Sequence, residues 1–260
     1  MHPSSPDRQR LKVESARRLG DLIRTEILRG RYAAGDLLPS EAEFSDCYGV
    51  GRNVVRGALD LLRRDGYVIR RQGRGTFVVS KHRVHDLTSG GGIAREFPGR
   101  AQRVLTRFVE VLECRAERIV AERLQVPQGT CCIVATYETQ VDREPYSVAT
   151  SYLPRDRVAA AFDTDLEGEW LGDWFMVLSE LGLSPGHLEL QMEAVAADEH
   201  LAATLHVAVG APLLRFERLL LDDRGRPLDF GFSRCRSDRV LVRAALSGSD
   251  CSDPTERARD

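Results

Sequence analysis

Arginine and asparagine side chains recur between residues 52 and 63 at a spacing that places them on one side of a helix. Arg52, Asn53, Arg56 and Arg63 share this side, while apolar residues at positions 54, 55, 58, 59 and 62 share the other. Guanidinium and carboxamide groups hydrogen-bond to base edges in the major groove of DNA. The pattern predicts a helix that packs on its own domain with one face and presents forked donors with the other.

A basic, glycine-rich loop follows this helix. Residues 70–75 (RRQGRG) join two strand-like runs, residues 67–69 and residues 76–79. Arginines beside glycines let cations and backbone come close to phosphates or enter a narrow minor groove. Charges on an exposed helix are usually only solvated, but a basic hairpin directly after the helix favours DNA binding.

The residues before this helix supply the rest of a DNA-binding domain. Ser40 and Glu43 have the spacing of a capping box, which predicts the start of a short helix. Residues 48–51 form a turn, and residues 13–29 carry apolar side chains at helical spacing. Three helices followed by a basic hairpin predict a winged helix-turn-helix domain over residues 1–79.

These residues resemble the GntR family of bacterial transcription regulators. The matching positions are Gly30, Gly35, Leu38-Pro39-Ser40-Glu41, Tyr48-Gly49-Val50, Arg52, Val55-Arg56, Ala58-Leu59, Gly66 and Gln72-Gly73-Arg74-Gly75-Thr76-Phe77-Val78. The chain departs from the family pattern at Gly51, where a capping Ser is usual, at Asn53-Val54, near the usual Thr, and at Ala42, where many members carry Arg. These departures affect the choice of operator sequence and not the predicted fold.

Nine residues are candidates for DNA contact. Arg52, Asn53 and Arg56 are expected in the major groove, and the helix that starts at Ser40 and Glu41 is expected near phosphates. The remaining candidates belong to the wing beside the minor groove: Arg71, Gln72, Arg74 and Gly75.

Charge and length indicate two domains of different character. The chain has 260 residues and a net charge of -2. Residues 1–80 hold 15 Lys/Arg against 10 Asp/Glu, whereas residues 81–260 hold 22 against 29. A basic module joined to an acidic one is typical of a nucleic-acid binder with a regulatory domain. The start of the chain has no signal-peptide pattern and no apolar run approaches the roughly 20 residues of a membrane span. We therefore expect a cytoplasmic protein.

The second half predicts an α+β domain. Residues 80–103, with a run of glycines at 90–92, are interpreted as a linker. Strands are predicted at 104–114, 131–141, 145–152, 188–196, 213–221 and 228–236, and helices at 117–124, 155–162, 171–181 and 199–205. Residues 104–246 form this domain, and the polar residues 247–260 are predicted to be a disordered tail. Antiparallel strands with helices between them are typical of this class.

This half resembles the UTRA effector-binding domain of the HutC-type branch of GntR regulators. The residues that carry the resemblance are Leu124, Val126-Pro127, Gly129, Glu144-Pro145, Ser151-Tyr152-Leu153-Pro154, Leu205, Val207, Gly210, Pro212-Leu213-Leu214, Gly225, Pro227, Arg236 and Asp238-Arg239. The resemblance implies a chorismate-lyase-like antiparallel sheet, a small-molecule pocket, and homodimers made largely through this domain.

The predicted pocket lacks features that bind phosphosugars in related regulators. Tyr137 and Thr139 stand where such members carry an Arg-x-Arg pair, and Ala149 stands where a Glu is frequent. A less anionic, more hydrophobic effector than a phosphosugar is therefore expected. Candidate effector contacts are Tyr137, Thr139, Ser151, Asp229 and Ser233. Each of them can equally be a polar strand residue whose hydrogen bonds are satisfied within the fold.

The sequence predicts a ligand-responsive repressor that binds an inverted-repeat operator as a homodimer and is released by a small molecule. No catalytic set can be assembled, and no cofactor, metal site or membrane partner is predicted. The alternatives are a constitutive DNA-binding protein without effector, and a lyase-like activity in the second domain. Three matters stay open: the effector, the operator and its genes, and whether the ligand releases or promotes DNA binding. Vicinal Cys131-Cys132 could sense oxidants or soft metals, but neighbouring strand residues face opposite ways, which favours a structural role.

Overall fold

The chain divides into two compact units, Met1–His82 and Arg83–Asp260. The structure, a computed structural model, describes residues 5–79, 83–86, 104–162 and 168–245.

The first unit contains three helices and a two-stranded antiparallel hairpin in the predicted order. Its elements are α1 (Ser5–Leu28), α2 (Glu41–Tyr48), α3 (Arg52–Arg64), β1 (Val68–Arg71) and β2 (Gly75–Val78). Helix α1 starts eight residues before the predicted position 13. The apolar faces of the helices meet the hairpin in one core, whose buried residues are Leu19, Ile23, Ile27, Leu38, Phe44, Val55, Ala58, Leu59, Leu62, Tyr67, Val68 and Val78.

The ends of α2 and α3 have the local chemistry that the sequence predicted. The Ser40 hydroxyl accepts a hydrogen bond from the Glu43 backbone N–H, and the Glu43 carboxylate accepts one from the Ser40 N–H. The pKa of Glu43 is lowered, chiefly because its carboxylate accepts the hydrogen bond from the Ser40 backbone N–H, which favours the charged form. Gly49 ends α2 in the left-handed conformation with φ 63°, and Gly51 starts α3 without a side-chain cap.

The hairpin is shorter at its tip than predicted. Strand β1 runs to Arg71 and pairs with Gly75, so residues 72–74 alone form the turn. Gly75 has a φ of +107°, and a Cβ built there would lie 2.6 Å from Cδ1 of Leu37. The positive φ favours glycine at this position, and any Cβ would also push aside the end of the exposed Leu37 side chain.

The second unit is built on a seven-stranded antiparallel sheet, as an α+β prediction requires. In the order β7-β4-β5-β6-β10-β9-β8 its strands are Glu169–Leu171, Val104–Arg115, Cys131–Val141, Glu144–Pro154, Pro227–Arg236, Pro212–Asp222 and Pro185–Ala196. Its helices are α4 (Arg118–Leu124), α5 (Arg155–Phe162), α6 (Trp174–Glu180) and α7 (Glu199–Leu205).

Alternation along the strands separates two cores on the two faces of this sheet. In β5, Ile133 and Tyr137 pack with residues of α6, whereas Cys132 packs on the opposite face with residues of α4. Helix α7 covers a further part of that opposite face, beside Val148. The α6 face is the one that encloses the cavity described below.

Three short strands were not predicted from the sequence. Strand β3 (Arg83–Asp86) lies in the segment interpreted as a linker and pairs in parallel with β11 (Val240–Arg243). Strand β7 takes Leu171 out of the predicted helix 171–181, and the Asp173 carboxylate caps α6 by accepting from the N–H groups of Phe175 and Met176. The glycine run at 90–92 and the predicted tail 247–260 lie outside the described residues.

Two leucines of the second unit offer a test of this core. Leu178 is fully buried beside Trp174, whereas Leu171 is 48% exposed. We expect Leu178→Ala to lower the free energy of unfolding by about 2–5 kcal/mol, since it deletes buried methyl groups and leaves a cavity. Denaturant unfolding followed by tryptophan fluorescence measures this, because Trp170 and Trp174 both lie in the second unit.

Leu171→Ala is the matched control for this measurement. The same chemical change at an exposed position should cost less than about 1 kcal/mol. Equal losses in the two variants would contradict the packing described here.

Candidate functional sites

The first candidate site is the exposed side of α3. Arg52, Asn53 and Arg56 are all exposed, while Val55 and Ala58 on the opposite side are buried. The first two of these residues lie in the first helical turn, directly after Gly51. The amino-terminal part of a recognition helix is the part that reaches base edges in helix-turn-helix proteins.

The tip of the hairpin supplies a second exposed group of donors. Arg71, Gln72 and Arg74 are exposed, and Arg74 closes the turn by donating its N–H to the Arg71 carbonyl at 3.0 Å. The Arg71 guanidinium lies 5.1 Å from the centroid of the Phe77 ring, which supports it from one side. Gly75 is exposed beside this turn and acts through its backbone conformation.

Ser40 and Glu41 have roles within the domain itself. Ser40 caps α2, and the Glu41 carboxylate forms ion pairs with Arg56 and Arg70. The structure therefore places Glu41 against two arginines of this surface, a relation that sequence spacing did not reveal.

The second candidate site is a cavity of about 630 Å³, including the space at its mouth, on the α6 face of the sheet. Its wall is mostly aromatic and aliphatic, with a few hydroxyl groups and two charged side chains. The lining residues are Tyr137, Thr139, Tyr146, Ser147, Ala149, Asp173, Trp174, Phe175, Leu188, Leu190, Phe216, Arg218, Ser233, Cys235 and Val240. Mostly apolar concave sites with a few convergent polar groups are typical of small-molecule pockets.

A buried ion pair lies in the wall of this cavity. The Arg218 guanidinium donates from Nε to Oδ2 of Asp229 at 2.9 Å and from Nη2 to the Tyr137 hydroxyl at 2.6 Å. Nη2 also donates to Oγ of Ser151, and the Trp174 indole N–H donates to Oδ2 of Asp229 at 2.9 Å. The cluster thus ties four strands and α6 together at one charge pair.

Burial and this pairing act in opposite directions on Arg218. Burial alone would lower its pKa, but Asp229 and Tyr137 outweigh burial, so the pKa is raised and the side chain stays charged. For Tyr137, burial is the main cause of a raised pKa, so its hydroxyl stays protonated. The cavity wall therefore presents a neutral phenol beside a compensated cation.

A glycine lets the guanidinium lie flat on the sheet. A Cβ at Gly231 would stand 2.6 Å from the Thr150 carbonyl oxygen and 2.8 Å from Nη2 of Arg218. Any side chain at this position would displace Arg218 or separate β10 from β6.

Aromatic stacking completes the cavity wall. The rings of Tyr137 and Trp174 are stacked with centroids 4.5 Å apart and planes 17° apart. Phe108 meets both rings edge-on, at 6.1 Å and 6.0 Å. Such pairs hold each ring in one orientation, which gives the cavity a defined shape.

The predicted effector contacts fall into two groups. Tyr137, Thr139 and Ser233 line the cavity. Ser151 and Asp229 differ from the prediction of direct contact: both are fully buried, and they bind Arg218 instead of lining the cavity.

Sequence reasoning missed Arg218, Trp174 and Phe216. Alternation along β9 places Leu214, Phe216, Arg218 and Leu220 on one face, so an arginine in an otherwise apolar series was the available signal.

The vicinal cysteines face opposite sides of their strand, as predicted. Cys132 is buried, and burial raises the pKa of its thiol to about 11. Cys131 is partly exposed, with its Sγ 3.7 Å from Oε2 of Glu113. Among the residues that the structure describes, no group of three or more His, Cys, Asp or Glu side chains is arranged to hold a metal ion. Within the same residues, no helix is long and apolar enough to cross a membrane.

The two units match two protein-family models. Residues 15–78 match the bacterial regulatory proteins of the gntR family, and residues 99–240 match the UTRA domain. The first match contains α2, α3 and the hairpin, and the second contains the seven-stranded sheet with its cavity.

Similar proteins of known name span nearly the same length. The uncharacterized HTH-type transcriptional regulator RB1450 of Rhizobium meliloti is 29% identical over 230 residues, which cover 87% of this chain and 93% of the relative. The probable fructoselysine utilization operon transcriptional repressor of Escherichia coli O157:H7 is 26% identical over 221 residues, covering 84% and 88%. The crystal structure of PhnF from Mycobacterium smegmatis shares the fold, with a TM-score of 0.61, 24% identity, and coverage of 88% of this chain and 99% of that one.

The helix-turn-helix with its basic hairpin, the sheet domain with its cavity and both family matches lead to one conclusion. This chain belongs to the GntR family of bacterial regulatory proteins that carry a UTRA domain, and it is a DNA-binding transcription regulator rather than an enzyme.

Proposed function

We propose that this regulator is a homodimeric repressor in the cytoplasm that leaves an inverted-repeat operator when an uncharged, largely apolar molecule enters the cavity. The observation that carries the proposal is that β11, which begins at the cavity-lining Val240, pairs with β3 at the start of the second unit.

The DNA contacts in this proposal belong to α3 and the hairpin. Arg52, Asn53 and Arg56 would enter the major groove, while Arg71, Gln72, Arg74 and the backbone at Gly75 would approach the minor groove. Their exposure and their position at the start of α3 and the tip of the hairpin support these roles. Ser40 contributes by fixing the start of α2.

The inverted repeat follows from symmetry. One copy offers one recognition helix, which covers one half-site. Two copies related by a two-fold axis would read two half-sites in opposite directions, and two-fold dimers are the commonest assembly of soluble proteins.

The effector class follows from the charges in the wall. Arg218 is already paired with Asp229, and the Asp173 carboxylate already caps α6. A phosphate or other multiply charged group needs an uncompensated cation, which these two lining residues do not provide. An uncharged molecule with an apolar body and one or two hydroxyl or carbonyl groups would suit Tyr137, Thr139 and Ser233.

Arg218 has two N–H donors left for further hydrogen bonds, both on Nη1. Its Nη1 has no hydrogen-bond partner among the residues that the structure describes, whereas Nε and Nη2 are engaged. A carbonyl or hydroxyl oxygen of the ligand could accept from it without adding charge.

The response to ligand would pass through the strand pair β11·β3. In register, Val240 faces Arg83 and Leu241 faces Val84, and the DNA-reading unit ends at His82. A ligand that displaces Val240 would therefore displace the backbone next to the DNA-reading unit. The ligand shifts the equilibrium only if it binds the released state more tightly.

The DNA contacts predict a loss of operator affinity in two variants. We expect Arg56→Ala and Arg74→Ala each to weaken binding by about 1–3 kcal/mol, which is roughly 5- to 150-fold in Kd. Gel-shift titration against a duplex selected from a random pool by the wild-type protein measures this. Arg118→Ala, which removes an arginine of α4 with a 75% exposed side chain, should leave the Kd unchanged. Unchanged affinity in both wing and helix variants would rule out the assigned face.

The cavity predicts that a bulky residue blocks the ligand and spares DNA binding. The first step is a thermal-shift screen of uncharged metabolites and sugar phosphates with the wild-type protein. In Ser233→Phe, a phenyl ring in the cavity should abolish stabilisation by the hit, which for wild type is about 2.7 kcal/mol at a hundredfold excess over Kd. Thr150→Phe adds a ring on the other sheet face, where Thr150 lies 3.5 Å from the Thr136 hydroxyl, and should keep the response. A hit that stabilises Ser233→Phe as much as wild type must bind outside the cavity. Hits found only among sugar phosphates would contradict the proposed effector class.

The strand pair predicts a variant that binds ligand without releasing DNA. Backbone N–H groups point alternately to the two sides of a strand, so one of Leu241 and Val242 donates towards β3. Proline at that position removes the donor, and we expect this variant to bind the ligand in the thermal-shift assay while keeping its operator. Proline at the other position is the control and should release DNA as wild type does. Normal release by both variants would refute transmission through β11.

A further inference from the structure

The Glu41 carboxylate joins two arginines that belong to different elements. Its Oε2 accepts a hydrogen bond from Nη2 of Arg56 in α3 at 3.1 Å, and its Oε1 lies 3.4 Å from Nη2 of Arg70 in β1. The Glu41 side chain is 22% exposed, compared with 55% and 62% for the two arginines. One carboxylate thus connects the recognition helix to the wing.

Charged side chains predominate around this carboxylate. A depression of about 270 Å³, a volume that includes open solvent, lies between α3 and the hairpin, lined by Glu41, Arg56, Leu59, Asp60, Arg63, Val68, Arg70 and Thr76. Contacts between charged groups therefore set the relation of the helix to the hairpin at this point. The pKa of Arg56 is also raised, and the largest cause is its hydrogen bond to Glu41.

We propose that Glu41 is a positioning residue for sequence recognition, which holds Arg56 and Arg70 so that helix and wing meet DNA as one surface. This proposal rests on the DNA-binding face assigned above. A carboxylate on that face is repelled by phosphates, so Glu41 costs general affinity for DNA. In return, each arginine is held in one of its many conformations before DNA arrives, which favours the sequence that fits that arrangement.

Removal of the charge should separate these two effects. Glu41→Gln keeps the length of the side chain but leaves Arg56 and Arg70 as two unpaired cations that repel each other. Non-specific affinity should rise, and the slope of log K against log salt should steepen by up to about 0.9 for one additional phosphate contact. Affinity for the preferred sequence should not rise with it, because the helix and wing arginines are no longer held together.

The experiment compares the full-length protein on two duplexes: one selected from a random pool by the wild-type protein, and a scrambled duplex of equal composition. We expect the ratio of the two Kd values to fall about tenfold in Glu41→Gln, similar to the loss of one good base contact. Asp46→Asn is the matched charge control, since Asp46 is an exposed carboxylate of α2 that does not line the depression around Glu41. It should tighten binding to both duplexes by a similar factor and leave the ratio unchanged.

A double-mutant cycle tests whether Glu41 acts through the wing. In an Arg70→Gln background, Glu41→Gln should change the Kd ratio by less than in wild type, because the bridge is already broken. An unchanged ratio in Glu41→Gln, an equal fall in Asp46→Asn, or full additivity with Arg70→Gln would each overturn the proposal. Loss of discrimination at a base pair that neither Arg56→Ala nor Arg70→Gln affects, found by scanning the selected duplex, would also overturn it, since that result indicates direct base contact by Glu41.

Two further measurements separate this proposal from its premises. Thermal melting of Glu41→Gln should match wild type, and a lowered Tm with an unchanged Kd ratio would assign Glu41 to stability alone. If Arg56→Ala keeps the wild-type ratio, the DNA-binding face itself is wrong. If Arg56→Ala loses discrimination while Glu41→Gln retains it, only the positioning role fails.

Discussion

The ion pair between Arg218 and Asp229 is the constraint around which the second unit is arranged. A charge in the interior is tolerated only when it is paired and its remaining hydrogen-bond capacity is largely met. Here Arg218 donates to side chains of β10, β5 and β6, and Trp174 of α6 donates to Asp229, so these elements must meet at one point for the two charges to be paired. Gly231 is required because any Cβ would occupy the space of the guanidinium.

The same constraint defines the cavity. Trp174 is held by its hydrogen bond to Asp229 and by stacking on Tyr137, which places an aromatic wall above the ion pair. Most polar groups of the wall are already hydrogen-bonded within the protein. The polar atoms of a ligand must therefore match the few donors and acceptors that remain. One of these lies behind the wall: Oδ1 of Asp229 is buried and has no hydrogen-bond partner within the described residues. In the proposed function, selectivity then comes from shape and from a small number of hydroxyl contacts, and not from net charge.

The first unit follows the opposite principle, because its functional charges remain in solvent. Its fold could be predicted almost completely: the capping box, the left-handed Gly49 and the apolar stripe of α3 are local signals that the structure repeats. What could not be predicted was the pairing of Glu41 with Arg56 and Arg70, because β1 reaches α2 only in the folded domain. Glu41 in isolation looked like an ordinary first-turn acid of a helix.

In the second unit, some structure could not be predicted from local sequence pattern. Long strands were predicted from alternation, but β3, β7 and β11 are three or four residues each and take their conformation from a neighbouring strand. Tyr137, Thr139 and Ser233 were identified as pocket residues, while Arg218 was not. Periodicity predicts which residues share a face of one strand, but the neighbouring position of β9 and β10 follows only from the order of strands in the sheet. Ser151 and Asp229 were predicted to contact the effector, but in the structure both lie behind the cavity wall, where they bind Arg218.

The short strands also explain how a sensor of this kind can remain responsive. The hydrogen bonds around the Arg218–Asp229 pair join four strands of the sheet to α6, so a ligand would bend this part of the sheet only at the cost of those bonds. Val240 is a lining residue outside that sheet, and β11 is paired with β3 alone among the strands described. Two strands of four residues share few hydrogen bonds, so the free energy needed to shift them is small compared with that of the sheet. The cavity thus combines a floor formed by the sheet with an edge at Val240, whose strand pairs with β3 at the start of the second unit.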